Sequence, residues 1–136
     1  MRTIALDVGS KVIGLATSDP SGTIATPLKV IKRQGIQKDT LTIVELCKQN
    51  QCTTIVVGLP LELDGTIGNR ARTVMRLTKE LQRVFTGKVL TWDERFSTSS
   101  ANYSLIASNI RRKARKKLVD KVAAAIILQN YLDASK

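Results

Sequence analysis

Histidine is absent from this sequence. Its absence removes Ser-His-Asp and Cys-His nucleophilic catalysis and every metal centre built on imidazole. Cysteine is scarce. Cys47 and Cys52 are the two present, and two thiols without further ligands fall short of a zinc site. Both are expected to be reduced core residues. Only five aromatic residues occur, which leaves base stacking a minor role in any nucleic-acid contact. No apolar run is long enough to span a bilayer, and no signal-peptide pattern opens the chain. A cytoplasmic protein without a membrane partner is therefore expected. Acidic residues are also few: 11 against 22 Lys and Arg, a formal charge of +11.

What remains is a foldable chain. With 43% hydrophobic residues in 136, the expectation is one domain over residues 1–136, with a single sizeable core. The excess positive charge favours a polyanionic partner.

The acids that matter interrupt apolar surroundings. They are Asp7 in Asp7-Val8-Gly9, the pair Asp93-Glu94 after Trp92, and Asp120 in Leu118-Val119-Asp120-Lys121-Val122. A carboxylate at the end of a buried strand or inside an apolar helix is costly unless a cation or hydrogen bonds compensate it. Three such groups converging from separate elements would form an oxygen-lined site for Mg2+ or Mn2+. Taken singly, each has a bland explanation. Asp before Gly suits a turn, Glu94 suits a loop ion pair, and Asp120 suits a first-turn helix acid. Of the adjacent pair, Asp93 is the one expected to be structural.

Periodicity places these residues. Arg2–Leu6 and Val12–Ser18 alternate as strands. Asp19-Pro20-Ser21-Gly22 is a turn, and Thr23–Ile31 a third strand, set at an edge or bulge by Pro27. Ile36, Thr40, Ile43, Val44 and Cys47 have helical spacing. The apolar run Thr54–Gly58 suits a strand buried on both faces. Ile67 to Phe85 is a long amphipathic helix and Lys88–Trp92 a fifth strand. Ser97 or Thr98 can cap a short helix to about Ser108, and a last helix runs from about Leu118 to Ala134. The expected architecture is α/β: a five-stranded mixed sheet, with an antiparallel meander of three strands plus two parallel strands, flanked by helices. The loop from Gly58 to Asn69 opens a helix whose amides, with Asn69, could face a phosphate. It lacks the Gly-Lys-Ser/Thr ending of a nucleotide P-loop.

Arg111, Arg112, Lys113, Arg115, Lys116 and Lys117 place six cations in seven positions just before Asp120. Such a run supplies phosphate contacts without reading base sequence. Arg95, beside Glu94, joins them as a candidate contact.

Four segments together resemble a known family. Leu6-Asp7-Val8-Gly9 through Ile13-Gly14-Leu15-Ala16 is similar to its first motif, and Val56-Val57-Gly58-Leu59-Pro60 through Asp64-Gly65-Thr66 to its second. Trp92-Asp93-Glu94-Arg95-Phe96-Ser97-Thr98 and Asp120 to Leu128 match the last two. The family is YqgF/RuvX, within the RNase H-like superfamily, and the resemblance covers essentially the whole chain in order. It implies an RNase H-like fold and a metal-dependent nuclease. Members are described as pre-16S rRNA processing nucleases and as Holliday junction resolvases. By resemblance, Asp7, Glu94 and Asp120 are the catalytic, metal-binding acids, with Asp7 bridging if two ions bind. The partner is then structured RNA or branched DNA, and a weak homodimer is left open. RuvC-type resolvases carry a further acid one helical turn after the last catalytic one. Here Ala123 and Ala124 stand in those places, which favours RNA processing. Two other classes compete: an ATP-binding domain of the actin and sugar-kinase type, and a non-catalytic RNA-binding assembly factor.

Overall fold

The structure, a computed structural model, describes residues 2–62, 64–94 and 112–135, and between 112 and 121 it describes the backbone alone. Its elements follow in chain order as β1 (Arg2–Val8), β2 (Val12–Ser18), β3 (Ala25–Lys32), α1 (Ile36–Gln49), β4 (Cys52–Leu59), α2 (Asn69–Val84), β5 (Lys88–Asp93) and α3 (Arg112–Ala134). The strands form one sheet in the order β3-β2-β1-β4-β5. β1 pairs antiparallel with β2, and β2 with β3. β1 and β4 run parallel, as do β4 and β5. This is the expected meander with two added parallel strands.

Strand alternation divides the core between two faces. Ile4, Leu6, Val8, Ile13, Leu15, Ile55 and Val57 pack under α1 and α2, against Ile43, Leu46, Val74, Leu77 and Leu81. Ala5, Ala16 and Val56 face the other way, against Ala124, Ile127, Leu128 and Leu132 of α3. The alanines on this second face let α3 lie close to the sheet. Trp92 of β5 meets Tyr131 of α3 edge to face, with ring centroids 5.8 Å apart. At the opposite side of the sheet, the Gln129 side chain accepts from Ala25 N at 3.0 Å and donates to the Thr23 carbonyl at 2.9 Å. The helix is thus tied across the whole sheet. Cys47 and Cys52 are buried free thiols in the α1/α2 core. Burial, with Cys52 nearby, pushes the Cys47 thiol up to about 12, so it stays protonated and unreactive.

Two boundaries differ from the sequence expectation. β3 begins at Ala25 because Thr23 and Ile24 donate their amides to the Asp19 carboxylate, which closes the β2–β3 turn. Pro27 lies on an edge strand at a register shift opposite Leu15 and Ala16, as a residue without an N–H requires. α3 begins at Arg112, not near Leu118. Lys and Arg are good helix formers and need no apolar stripe to extend a helix outward. The basic stretch from Arg112 to Lys117 is therefore the first part of α3. The short helix expected from Ser97 to Ser108 lies outside the described residues.

Candidate active site

β1, β4 and β5 are parallel, so their C-terminal ends share one edge of the sheet. Leu6 pairs with Val57, which brings Asp7 level with Gly58, and Gly58 pairs in turn with Trp92 of β5. Asp7 has the parity of Ala5 and so belongs to the α3 face. Glu94 follows two residues after Trp92, on the same face.

Gly58 makes room for Glu94. A Cβ built on Gly58 would stand 3.0 Å from Glu94 Oε1 and 2.6 Å from Ile127 Cδ1. The glutamate side chain therefore lies over β4, beside Ile127 of α3. Burial pushes the Glu94 carboxyl up to about 7, and the Asp7 charge and a hydrogen bond to Asp7 add to the rise. Asp93 pushes the same way, while the Arg70 guanidinium pulls back. A half-buried carboxyl bonded to a second carboxylate holds its proton near neutrality, because two like charges cannot both ionise cheaply at that distance.

The turn after Asp7 is braced. Gly9 N donates to Val12 O at 2.8 Å, and Arg33 N to Lys11 O at 2.9 Å. Arg33 Nη1 donates to the Gly9 carbonyl at 2.9 Å. The same guanidinium bonds Asp39 Oδ2 through Nε at 2.9 Å, and Asp39 Oδ1 accepts from Gln34 N. Asp39 is only 2% exposed, so this ion pair is a fixed strut from α1 to the turn. Neither Arg33 nor Asp39 stands out in the sequence, because their meeting depends on how β3 leads into α1.

The loop between β4 and α2 folds on itself. Glu62 N donates to Thr66 O, Gly65 N to Glu62 O, and Asp64 accepts from the Thr66 amide and hydroxyl. Glu62 Oε1 lies 2.5 Å from where a Cβ on Gly68, the residue capping α2, would stand. A carboxylate thus already faces the start of α2. Glu62 makes no side-chain hydrogen bond to the α2 cap, but a phosphate approaching that helix end would meet its like charge.

Of the acids expected to converge, Asp7 and Glu94 come together. Asp120 lies on the α3 backbone, four positions before the fully buried Ala124, and its side chain is outside the described residues. Arg95 and Arg111 are outside them too, as are the side chains of Arg112, Lys113, Arg115, Lys116 and Lys117 on the first turns of α3. Among the described residues no three acids or cysteines come together as a metal site. The Asp7–Glu94 pair nonetheless suits a hard divalent cation. Both offer oxygen donors, both are half-buried, and a cation would relieve their mutual repulsion. Sequence reasoning missed Arg70 and the space above Gly58. A Gly near the end of an otherwise apolar strand is the signal that marks such a close approach.

Comparison with known proteins places the whole chain. Residues 1–134 match the model of the RuvX family, described as Holliday junction resolvase. A protein of Clostridium perfringens, named as a proposed pre-16S rRNA nuclease, is 43% identical over 133 residues, spanning 98% of this chain and 97% of its own. A protein of the same name from Thermoanaerobacter pseudethanolicus is 44% identical over 137 residues, spanning 100% and 99%. Among solved structures, Thermus thermophilus RuvC in complex with a Holliday junction substrate superposes with a TM-score of 0.66 at 12% identity, covering 100% of this chain and 97% of that one. The fowlpox virus Holliday junction resolvase gives 0.56 at 11% identity, covering 98% and 99%. At such identities these two likenesses establish the fold, which is RNase H-like. Among the described residues, no helix is long and apolar enough to cross a membrane.

Proposed function

The chain belongs to the RuvX family, and from that premise we propose that it is a divalent-metal-dependent endonuclease which processes the 5' end of precursor 16S rRNA in the cytoplasm. Phosphodiester cleavage is what its relatives' names and its resolvase-like fold have in common. The observation that carries the reading is the Asp7–Glu94 pair at the sheet edge, with the Glu94 proton held to about 7. Structural acids are normally placed to ionise freely, and a pair that resists ionisation calls for a cation.

Asp7, Glu94 and, from α3, Asp120 are the proposed ligands of Mg2+ or Mn2+. When bound, such an ion supplies the charge that activates a water and stabilises the leaving oxygen. The chain's own part is positional. Gly58 leaves space for the Glu94 carboxyl, the Arg33–Asp39 strut holds the turn after Asp7, and Ala124 brings α3 against the sheet. Arg95 and the cations at Arg111, Arg112, Lys113, Arg115, Lys116 and Lys117 are the proposed contacts to the substrate backbone, where phosphates set position without reading sequence.

Junction cleavage is the second reading, favoured by the description of the matching family. Against it, fully buried Ala124 and its neighbour Ala123 occupy the turn where RuvC-type enzymes place another acid. One assay decides: purified protein with Mg2+ or Mn2+ on a precursor 16S rRNA fragment and, in parallel, on a four-way DNA junction. Cleavage of the RNA that stops with chelator is expected. Cleavage of the junction with the RNA intact would replace this reading by the resolvase one. Binding of RNA without cleavage of either would make the protein an assembly factor.

A further inference from the structure

On the other side of the β1 end from Asp7 lies an open cleft of about 800 Å³. Its walls are the β1–β2 turn from Val8 to Val12, Arg33 and Gly35 ahead of α1, and Arg70, Thr73 and Val74 of α2. Among the described residues, no acid lines it. Arg33 is committed to Asp39 and the Gly9 carbonyl, so its charge is already balanced. Lys11 and Arg70 are exposed and make no salt bridge among the described residues. The lining therefore carries two exposed cations outside any salt bridge among the described residues, together with Ser10, around an apolar floor of Val8, Val12 and Val74.

The place of the cleft is specific. Val8 follows Asp7 directly, and strand alternation sends the two side chains to opposite faces. The end of β1 is thus a ridge, with the carboxylate pair on one side and the cationic cleft on the other. The β1 end borders both regions, and Arg70, which lines the cleft, also pulls the Glu94 carboxyl down. The bonds of Gly9 and Arg33 keep the ridge rigid. A polynucleotide strand laid over it meets the acids with one linkage and the cleft with a neighbouring one.

We propose that this cleft, through Lys11 and Arg70, binds a backbone phosphate of the substrate strand next to the linkage being cut, and so sets the register of the strand over the carboxylates. The inference rests on the nuclease reading for the meaning of that register, but the binding stands apart from cleavage. It is a phosphate contact beyond the basic stretch of α3, contributed from the opposite face of the sheet. The anion is a diester within a strand, because the cleft is open and its described lining offers single exposed cations at Lys11 and Arg70, which suit a backbone phosphate.

The test measures binding to a single-stranded RNA oligonucleotide in chelator, where cleavage cannot interfere. For the double variant Lys11→Ala, Arg70→Ala, the slope of log affinity against log salt should fall by about 0.7, the value for one phosphate no longer neutralised on a single strand. Lys11→Arg with Arg70→Lys should restore it. Both residues are exposed, so loss of folding is not expected, and a melting curve checks it. An unchanged slope in the folded double variant would overturn the proposal. ATP, titrated alone, probes the competing occupant: micromolar binding that the double variant loses would reassign the cleft to a free nucleotide and overturn it also. If the double variant shows the slope change while the wild-type protein cleaves nothing with Mg2+ or Mn2+, the phosphate site stands and the nuclease reading falls.

Discussion

Glu94 occupies the space that a side chain on Gly58 would fill: its Oε1 lies 3.0 Å from the site of the missing Cβ. β4 therefore contributes to the active edge by lacking a side chain. Gly58→Ala should push Glu94 and Ile127 aside, since the new methyl would also stand 2.6 Å from Ile127 Cδ1. Overpacking of this kind costs about 1–3 kcal/mol. We expect a lower melting temperature and a larger loss in cleavage rate than in RNA affinity. Cleavage at the wild-type rate would show that the Glu94 position is not needed.

Asp7→Asn should abolish cleavage while RNA binding survives, because the amide keeps the shape but offers no charge to a divalent ion. It should also lower the Glu94 pKa from about 7, since the Asp7 charge is among the causes of the rise. Carboxyl carbon resonances followed through a pH titration would read this directly. A Glu94 that titrates unchanged in the variant would break the proposed coupling.

The stability of the metal-free protein should carry the same signature. The folded-state pKa of Glu94 is raised from its ordinary 4.5 to about 7. The folded state thus binds this proton more tightly than the unfolded chain. Its stabilising effect is complete below about 4.5 and is lost as pH rises through about 7. Relative to Glu94→Gln in chelator, wild type should become progressively less stable across that window. Added Mn2+ should raise the wild-type melting temperature by mass action and leave the variant nearly unmoved. Parallel melting curves at every pH would remove Glu94 from the site.

The strut between α1 and the first turn should be costly to break from one end. Arg33→Ala leaves Asp39, 2% exposed, without its guanidinium, and stranding a buried charge costs about 3 kcal/mol or more. Replacing both Arg33 and Asp39 with Ala should cost less than the two single changes added together. Urea unfolding of the four proteins gives the coupling. Strict additivity would mean that the pair does not act as a unit.

Arg112→Ala with Lys113→Ala should reduce RNA affinity similarly for unrelated sequences and lower the salt slope by up to about 1.4. Titrations at several salt concentrations on two oligonucleotides measure both. A loss confined to one sequence would mark base recognition in place of phosphate contact.

Local pattern determined much of this protein. Alternation from Arg2 to Leu6, the short apolar run at Thr54–Gly58 and the 3.6-residue spacing in α2 are properties of short segments, and each segment folded as its pattern required. The same logic singled out Asp7 and Glu94, because acids at the ends of apolar strands are conspicuous wherever the strands go. Pro27 announced an edge for an equally local reason: it has no N–H to give. The start of α3 was less legible, since Lys and Arg extend a helix without leaving an apolar stripe to mark it.

The tertiary structure alone decided what those residues meet. The parallel register of β1, β4 and β5 set Gly58 under Glu94 and beside Asp7. The path from β3 into α1 brought Arg33 to the Gly9 carbonyl. The loop after β4 put Glu62 at the head of α2, where the sequence suggested a phosphate. The start of α2 carried Arg70 to both the carboxylate pair and the cleft. Each of these contacts joins segments far apart in the chain. Their geometry is fixed by sheet register and helix packing, which no periodicity within a single segment encodes.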